Sequence, residues 1–398
     1  MKDIRVKKLI QAESKRQKKA INLIASENYV SKDVLEALGS ELTNKYAEGY
    51  AGKRYYGGNE IIDKLERLCI GRALDLFKLD PNEWHVNVQP LSGSPANLAV
   101  YTALVPKGEK IMGMSLDHGG HLTHGHKVSA TGKFWVQVPY GVDQTTEVLN
   151  YDQMRETAMK EKPVIIVSGY TAYPRFIDWT RMRQVADSSE SLLMVDMSHI
   201  AGLVAGGAYP PPFPYADVVT TTTHKTLRGP RSALIFVRKD SRELDKKIDK
   251  AVFPGLQGGP HMNQVAAVAV AMKEAASPAF KKYAAQVVKN AAVLADELKA
   301  HGWRIISGGT DSHLVLVDTW NDGMKNEQGA GGVSGSEASD RLEKIGIIVN
   351  KNAIPFDTRS PMDPSGIRLG TAAETTRGKK EKDFKAIAKK ISETLKKK

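Results

Sequence analysis

Between Glu83 and about Val237, short apolar runs alternate with amphipathic stretches, and this alternation leaves the chain few architectures to adopt. Strands are expected at 86–88, 110–114, 136–138, 164–168, 192–196, 218–222 and 234–237, with helices such as 151–160 and 179–188 between several of them. Such alternation predicts an α/β domain around a mostly parallel sheet. Ligands in these sheets sit beyond the carboxyl ends of the strands. Two of the expected strands run into charge at that end. Leu192-Leu193-Met194-Val195 closes on Asp196, and the valine-threonine run from Val218 leads through His224 to Lys225 and a Gly229-Pro230 turn.

A lysine at the end of a buried strand is costly as an ammonium ion. Held neutral, its amine adds to aldehydes. An acid at a neighbouring strand end would keep a pyridine nitrogen protonated. Asp196 and Lys225 therefore have the chemistry that pyridoxal 5'-phosphate requires: an amine for the aldehyde and an acid that lets the ring act as an electron sink.

At 398 residues the chain exceeds one typical core, so more than one domain is expected. The first ~75 residues read as helices and a loop without a clear strand, an N-terminal helical arm (1–75) ahead of a large cofactor-binding domain (76–270). A long helix follows, with Ser277 as N-cap, Pro278 at its first position and Gly302 as its stop. Strands at 304–306, 314–318 and 347–349, a helix opened by Ser334 and Glu337, and a last amphipathic helix from Glu381 to about Leu395 make a smaller α/β domain (271–398).

No run of ~18 apolar residues predicts a spanning helix. The charged start, Met1-Lys2-Asp3-Ile4-Arg5, has no apolar segment of the kind a signal peptide carries. A single cysteine, Cys69, excludes an internal disulfide framework, fits a reducing cytoplasm and falls on the apolar side of a helix. The net charge of +12 favours anionic partners, but no helix carries an arginine stripe with interleaved aromatics, so nucleic acid is not expected.

Four further segments carry chemistry. Ser92-Gly93-Ser94-Pro95 follows a strand and opens a helix, with Ser94 as cap, Pro95 at the first position and the helix over 96–103. It reads either as an anion site or as a plain capped helix. The turn from Gly255 to Pro260 can add amides to the same anion. His118, His121, His124 and His126 crowd one stretch, and they suit either a metal or an imidazole lying over an aromatic ring. Tyr46, Glu48 and Tyr56 lie in a loop of tyrosines and glycines outside any apolar period, which suits proton transfer or an exposed polar loop. Arg368 sits inside a short apolar strand, where it suits a substrate carboxylate or a structural salt bridge.

Taken together, these segments resemble serine hydroxymethyltransferase, a fold-type-I pyridoxal phosphate enzyme with a large mostly parallel domain and a smaller C-terminal one. The resemblance runs along nearly the whole chain. It includes Leu23 to Asn28, Lys45 to Gly58, Gly119 to Gly125, Val195 to Met197, His199 to Gly202, Thr220 to Arg231, Gln257 to Pro260, Ser307 to Asp311 and Asn350 to Arg359. Threonines before His224-Lys225, together with the tyrosine-rich loop, separate this family from other enzymes whose lysine binds the same cofactor.

The resemblance implies that Lys225 carries the cofactor, Asp196 meets its ring nitrogen and His121 stacks on its ring, so no metal is expected. It implies that Ser92, Gly93 and Ser94 hold the phosphate, with Thr171 and His199 near the ring oxygen. Ser26, Tyr56 and Arg368 would bind the amino acid, Glu48 would handle protons, and His224 would join the catalytic groups. Leu116, Gly120, Leu122, Ser360, Pro361 and Met362 would contact folate. Tyr46, Glu48, Tyr56, Gly258 and Gly259 would serve the neighbouring subunit's site, which implies a homodimer. Some positions depart from the commoner family pattern: Thr171 for serine, Met362 for phenylalanine, Ser198 for alanine, Ser232-Ala233 for a glycine pair and Ala372-Ala373-Glu374 for a more apolar run. None removes a reacting group.

The implied activity is reversible transfer of the serine hydroxymethyl carbon to tetrahydrofolate, giving glycine and 5,10-methylenetetrahydrofolate. It belongs to cytoplasmic one-carbon and amino-acid metabolism. Two rivals stand beside it. One is a folate-independent aldolase for β-hydroxy amino acids, separated by its indifference to tetrahydrofolate. The other is an RNA-binding protein on the same fold, marked by a contiguous basic face and steep salt dependence.

Overall fold

In a computed structural model that describes residues 1–397, the chain divides into two compact units, residues 28–285 and residues 1–27 with those from 286 onward. The first unit is built on seven strands: β1 (Trp84–Asn87), β2 (Lys110–Met114), β3 (Val136–Tyr140), β4 (Ile165–Ser168), β5 (Leu192–Asp196), β6 (Val218–Thr222) and β7 (Ala233–Arg238). Their order is β1-β7-β6-β5-β4-β2-β3. All neighbours from β6 to β3 run parallel, and β7 runs antiparallel to β6 and to β1. The mostly parallel sheet expected from the alternation is therefore present.

Ile111, Ile165, Val167, Met194, Val218 and Ile235 share a core with Ala96, Val100 and Tyr101 of the helix Gly93–Leu104. Burial on both faces explains why these strands read as continuous apolar runs rather than alternating ones. β6 is buried at every position, so its threonine hydroxyls need partners inside the protein. Thr220 donates to Asn97 Oδ1 at 2.8 Å, and Thr221 to the Thr222 carbonyl at 2.8 Å. The helix Met262–Ala275 packs on the helices Glu60–Leu76 and Lys32–Leu38 in the same unit.

The second unit has a four-stranded antiparallel sheet of β8 (Arg304–Ile305), β9 (Leu314–Asp318), β10 (Asn350–Asn352) and β11 (Gly366–Gly370), in the order β8-β9-β11-β10. Val315, Ile367 and Leu369 bury against Phe384 and Ile391 of the helix Glu381–Lys396 and against Leu342 of the helix Gly335–Lys344. Ser334 caps the latter by accepting the Glu337 N–H at 3.3 Å. Leu23 is fully buried in this same core, and Ile21–Asn22 pairs in parallel with Ile347–Ile348.

Two expectations need correction. The first 75 residues do contain strands: Ile21–Asn22, and a hairpin of Gly49–Tyr50 with Lys53–Arg54. Two-residue strands are too short to show alternation. The hairpin is held instead by the buried Arg54 guanidinium, which reaches the carbonyls of Ala47 and Gly49 and the Asp63 carboxylate. The helix expected over 96–103 begins at Gly93, with Ser92 in the capping position. Among the described residues no helix is long and apolar enough to cross a membrane.

Candidate active site

The register of the parallel sheet decides which side chains meet. Asp196, the last residue of β5, lies opposite Thr220 in β6, and Lys225 follows three residues after β6 ends. The Asp196 side chain is only 10% exposed and its carboxylate accepts four hydrogen bonds. Oδ2 takes Asn97 Nδ2 at 2.9 Å and His124 Nε2 at 3.2 Å, while Oδ1 takes the Ser198 N–H at 3.1 Å and the Ser198 hydroxyl at 2.5 Å. Burial pushes this carboxyl upward. The bond and charge of His124, followed by the charges of Lys225 and His121, outweigh burial and hold it far below the usual carboxylate range. Asp196 is therefore an anion at any ordinary pH.

His121 is pushed down to about 4 by burial, and then by the charge of His124, so its imidazole is neutral at pH 7. Its Nδ1 is 2.7 Å from the Thr123 hydroxyl. His118, His124 and His126 each turn a ring nitrogen to a different partner: the Val142 N–H, Asp196 and the Val128 N–H. Among the described residues no group of three or more His, Cys, Asp or Glu side chains could hold a metal ion.

The lysine turn is tightly pinned. The Lys225 carbonyl accepts Asn28 Nδ2 at 2.9 Å, and that amide also reaches the Tyr283 hydroxyl at 2.8 Å. The Thr226 hydroxyl donates to the carbonyl of buried His199 at 2.9 Å and accepts the Gly202 N–H at 3.0 Å. Burial, then the charges of Lys225 and Arg231, push His224 down to about 3. The buried Nδ1 of His224 and Oγ1 of Thr222 meet no hydrogen-bond partner among the described residues. The Thr171 hydroxyl donates to the Gly120 carbonyl at 2.9 Å.

Ser92, Gly93 and Ser94 come to the end of β6. A Cβ on Gly93 would stand 2.7 Å from Thr222 Cγ2, so the helix can begin this close to the strand only with glycine there. The amides of Gly93 and Ser94 open the helix ahead of its first internal bond, from the Ala96 N–H to the Ser92 carbonyl. A 12-residue helix presenting such amides next to an orphaned buried hydroxyl suits an anion. Gln257 ties the following glycine turn to this region, accepting the Leu91 N–H at 3.1 Å and donating to the Gln89 carbonyl at 2.9 Å.

Tyr46, Glu48 and Tyr56 form a second cluster. Tyr46 donates to Glu48 Oε1 at 3.4 Å, and the Glu48 charge raises its phenol. The rings of Tyr46 and Tyr56 meet edge to face at 5.4 Å. Gly258 and Gly259 lie against Glu48 and Tyr46, with their Cβ positions 3.3 and 3.5 Å from those side chains. Leu116 is half-buried, Gly120 buried and Leu122 exposed in the first unit.

In the second unit Arg368 is 8% exposed on β11, its Nε bonded to Asn350 Oδ1 at 3.2 Å. Burial lowers it to about 10, so it remains a cation at neutral pH. Ser26 follows Ala25, which packs so closely on Gly370 that a Cβ there would come within 2.3 Å of the Ala25 Cα. Ser360, Pro361 and Met362 are exposed on a loop whose flanks are fixed by Asp357, which accepts the Arg359 and Ser365 N–H groups, and by Arg359 stacked on Trp320 at 4.0 Å.

Sequence reasoning missed Asn97 and His124 as partners of Asp196. His124 stood in the noted histidine cluster, but nothing local marks which imidazole faces the acid. The donor set fits pyridoxal phosphate: an ionised acid, a flat neutral imidazole, a lysine on a fixed turn, an anion-binding helix start and two buried polar atoms awaiting partners.

A family profile described as "Serine hydroxymethyltransferase" matches residues 1–391. The protein called serine hydroxymethyltransferase in Desulfotalea psychrophila is 55% identical over 370 residues, 93% of this chain and 83% of its own length. Those of the same name in Koribacter versatilis and Legionella pneumophila are each 53% identical, over 99% and 98% of this chain and 88% and 90% of their own lengths. With a lysine-bearing turn beside an ionised strand-end acid and a match along nearly its full length, the chain belongs to the serine hydroxymethyltransferase family.

Proposed function

We infer that the chain catalyses the reversible conversion of serine and tetrahydrofolate to glycine and 5,10-methylenetetrahydrofolate on a fold-type-I pyridoxal phosphate scaffold. The observation that carries this reading is the ionised Asp196 at the end of β5, one strand away from the turn that bears Lys225. Pyridoxal phosphate, when bound, supplies the electron sink that lets a carbon–carbon bond at the amino acid's α-carbon break.

The roles of the side chains follow from their chemistry. Lys225 would hold the cofactor aldehyde through its ε-amine. Asp196 would accept the ring N–H without taking the proton, because the bond and charge of His124 and the charges of Lys225 and His121 already keep it anionic. The amides of Gly93 and Ser94 and the hydroxyls of Ser92, Ser94 and Thr222 would take up the phosphate. Neutral His121 would offer a flat face free of charge repulsion. Thr171, His199 and His224 would line the ring edge nearest the lysine. Arg368, still charged at pH 7, would fork onto the amino acid carboxylate, with Ser26 beside it. Glu48 would move the proton of the serine hydroxyl, and Tyr46 and Tyr56 would orient that carboxyl. Leu116, Gly120, Leu122 and the loop of Ser360, Pro361 and Met362 would pack on the folate.

The working form would be a homodimer in which the 1–75 arm carries Tyr46, Glu48 and Tyr56 to the partner's site. Exposed Tyr55, Ile61 and Leu68 on that arm support this. A cytoplasmic location fits the single cysteine, Cys69, which is fully buried with its thiol pushed up by burial. Purified protein loaded with pyridoxal phosphate should form glycine from serine only when tetrahydrofolate is added. Equal cleavage of serine with and without folate would instead make the chain a folate-independent aldolase.

A further inference from the structure

Ser198 is 7% exposed and makes three hydrogen bonds that join two strand ends. Its N–H and its hydroxyl both reach Asp196 Oδ1, at 3.1 and 2.5 Å. Its Oγ accepts the Thr222 N–H at 2.9 Å. The last bond fixes the direction of the first. With a donor already on Oγ, the hydroxyl proton points to the carboxylate, and the chain reads Thr222 N–H to Ser198 O–H to Asp196. Donors arranged head to tail polarise one another, and a hydroxyl at 2.5 Å from an anion is a charge-assisted bond. Asn97 and His124 share Oδ2, and Oδ1 is held by Ser198 alone, through its N–H and its hydroxyl.

We propose that Ser198 is a positioning residue for the hydroxymethyl transfer: its hydroxyl fixes the plane of the Asp196 carboxylate and weakens its basicity, and so sets how strongly the acid pulls on the cofactor's ring nitrogen. This rests on the cofactor assignment above and specifies one of its parts. The groups facing Asp196 are His121 and His124, Lys225, Tyr101 and Asn97, and none of them replaces the Ser198 hydroxyl on Oδ1. Without that hydroxyl the carboxylate becomes a stronger base and draws the ring N–H further toward itself. The ring then carries less positive charge. The nitrogen that joins the cofactor to Lys225 gains electron density and holds its proton to higher pH.

The test reads the visible absorbance of the bound cofactor against pH, with no substrate present. In Ser198→Ala the midpoint should move up by about one pH unit, the scale of one lost hydrogen bond to a charged group. Ser198→Thr keeps the hydroxyl and should restore the original midpoint. Ser198→Cys keeps the volume with a weak donor and should lie between; if the alanine variant fails to fold, Cys against Thr carries the test. Midpoints unchanged in Ala and Cys, or a Thr variant shifted as far as Ala, would overturn the proposal. Failure of every variant and of the unaltered chain to bind the cofactor would overturn instead the assignment beneath it.

Discussion

Replacing Asp196 by Asn removes one charge and almost no volume. The carboxylate accepts four bonds on two oxygens, from Asn97, His124 and twice from Ser198. An amide keeps one accepting oxygen, so one pair of donors faces an NH₂ group. Each buried donor left unmet costs about 1–3 kcal/mol, so the fold should lose roughly 2–6 kcal/mol unless the pocket relaxes. The acid also stabilises the fold above its unfolded pKa of about 3.9, and that contribution is lost as pH falls toward its lower folded value. The Asn variant should lack this acid limb.

The larger effect is on rate. Losing one preorganised donor to a developing charge costs ~10²–10³ in kcat, and a full countercharge is worth no less. Asp196→Asn should therefore lower kcat for glycine formation by at least about 100-fold at saturating cofactor. Cofactor occupancy from absorbance and the thermal midpoint separate this loss from unfolding. A folded, fully loaded variant with kcat within about threefold of the unaltered chain would refute the assignment of Asp196 to the ring nitrogen.

Borohydride treatment of the loaded protein should fix the cofactor on Lys225, and a peptide map placing the adduct on any other lysine would contradict the site. Glu48→Gln keeps shape and removes the carboxylate, so folate-dependent serine cleavage should collapse while cleavage of a threonine-like substrate suffers less; equal losses would end that division of labour. If Glu48 serves the partner's site, mixing Lys225→Ala with Glu48→Ala under subunit exchange should restore activity, and proven exchange without recovery would mean that each chain builds its own site. His121 and His224 are held neutral, near 4 and 3, against about 6.5 unfolded, so the unfolded chain binds more protons between those values. Stability should fall as pH drops from about 6.5 to 5, by at most about 1.4 kcal/mol per pH unit for each ring, and a flat urea midpoint across that range would show that these rings are not buried neutral.

The strands that carry the chemistry were the most legible part of the chain. Leu192–Asp196 and Val218–Thr222 have the bounds their residues suggest, because a strand buried on both faces leaves an uninterrupted apolar or β-branched run. The pairing of Ile21–Asn22 with Ile347–Ile348 was not legible, since two residues carry no period and their partners lie more than 300 positions away. The same holds for the neighbours of Asp196. Asn97 and His124 are 99 and 72 residues from it in sequence, and only the register of the parallel strands and the seat of the helix Gly93–Leu104 bring them to one carboxylate.

The misplaced start of that helix has a physical cause with a chemical consequence. Pro95 signals a first turn, but every residue of a first turn lacks an acceptor for its N–H, so proline is tolerated at more than one position there. Reading Pro95 as the first helical residue leaves Gly93 and Ser94 outside the helix as ordinary loop residues. With Ser92 in the capping position, their amides become the two leading donors of the helix, aligned with its axis and with the positive end of its dipole. Glycine at 93 then answers two demands at once. It lets the helix start so close to Thr222 that a Cβ at this position would stand only 2.7 Å from Thr222 Cγ2, and it leaves the amide open to an incoming phosphate. Gly93→Ala should therefore weaken cofactor binding while leaving Lys225 chemically competent, and an alanine variant with unaltered cofactor affinity would show that the phosphate is held elsewhere.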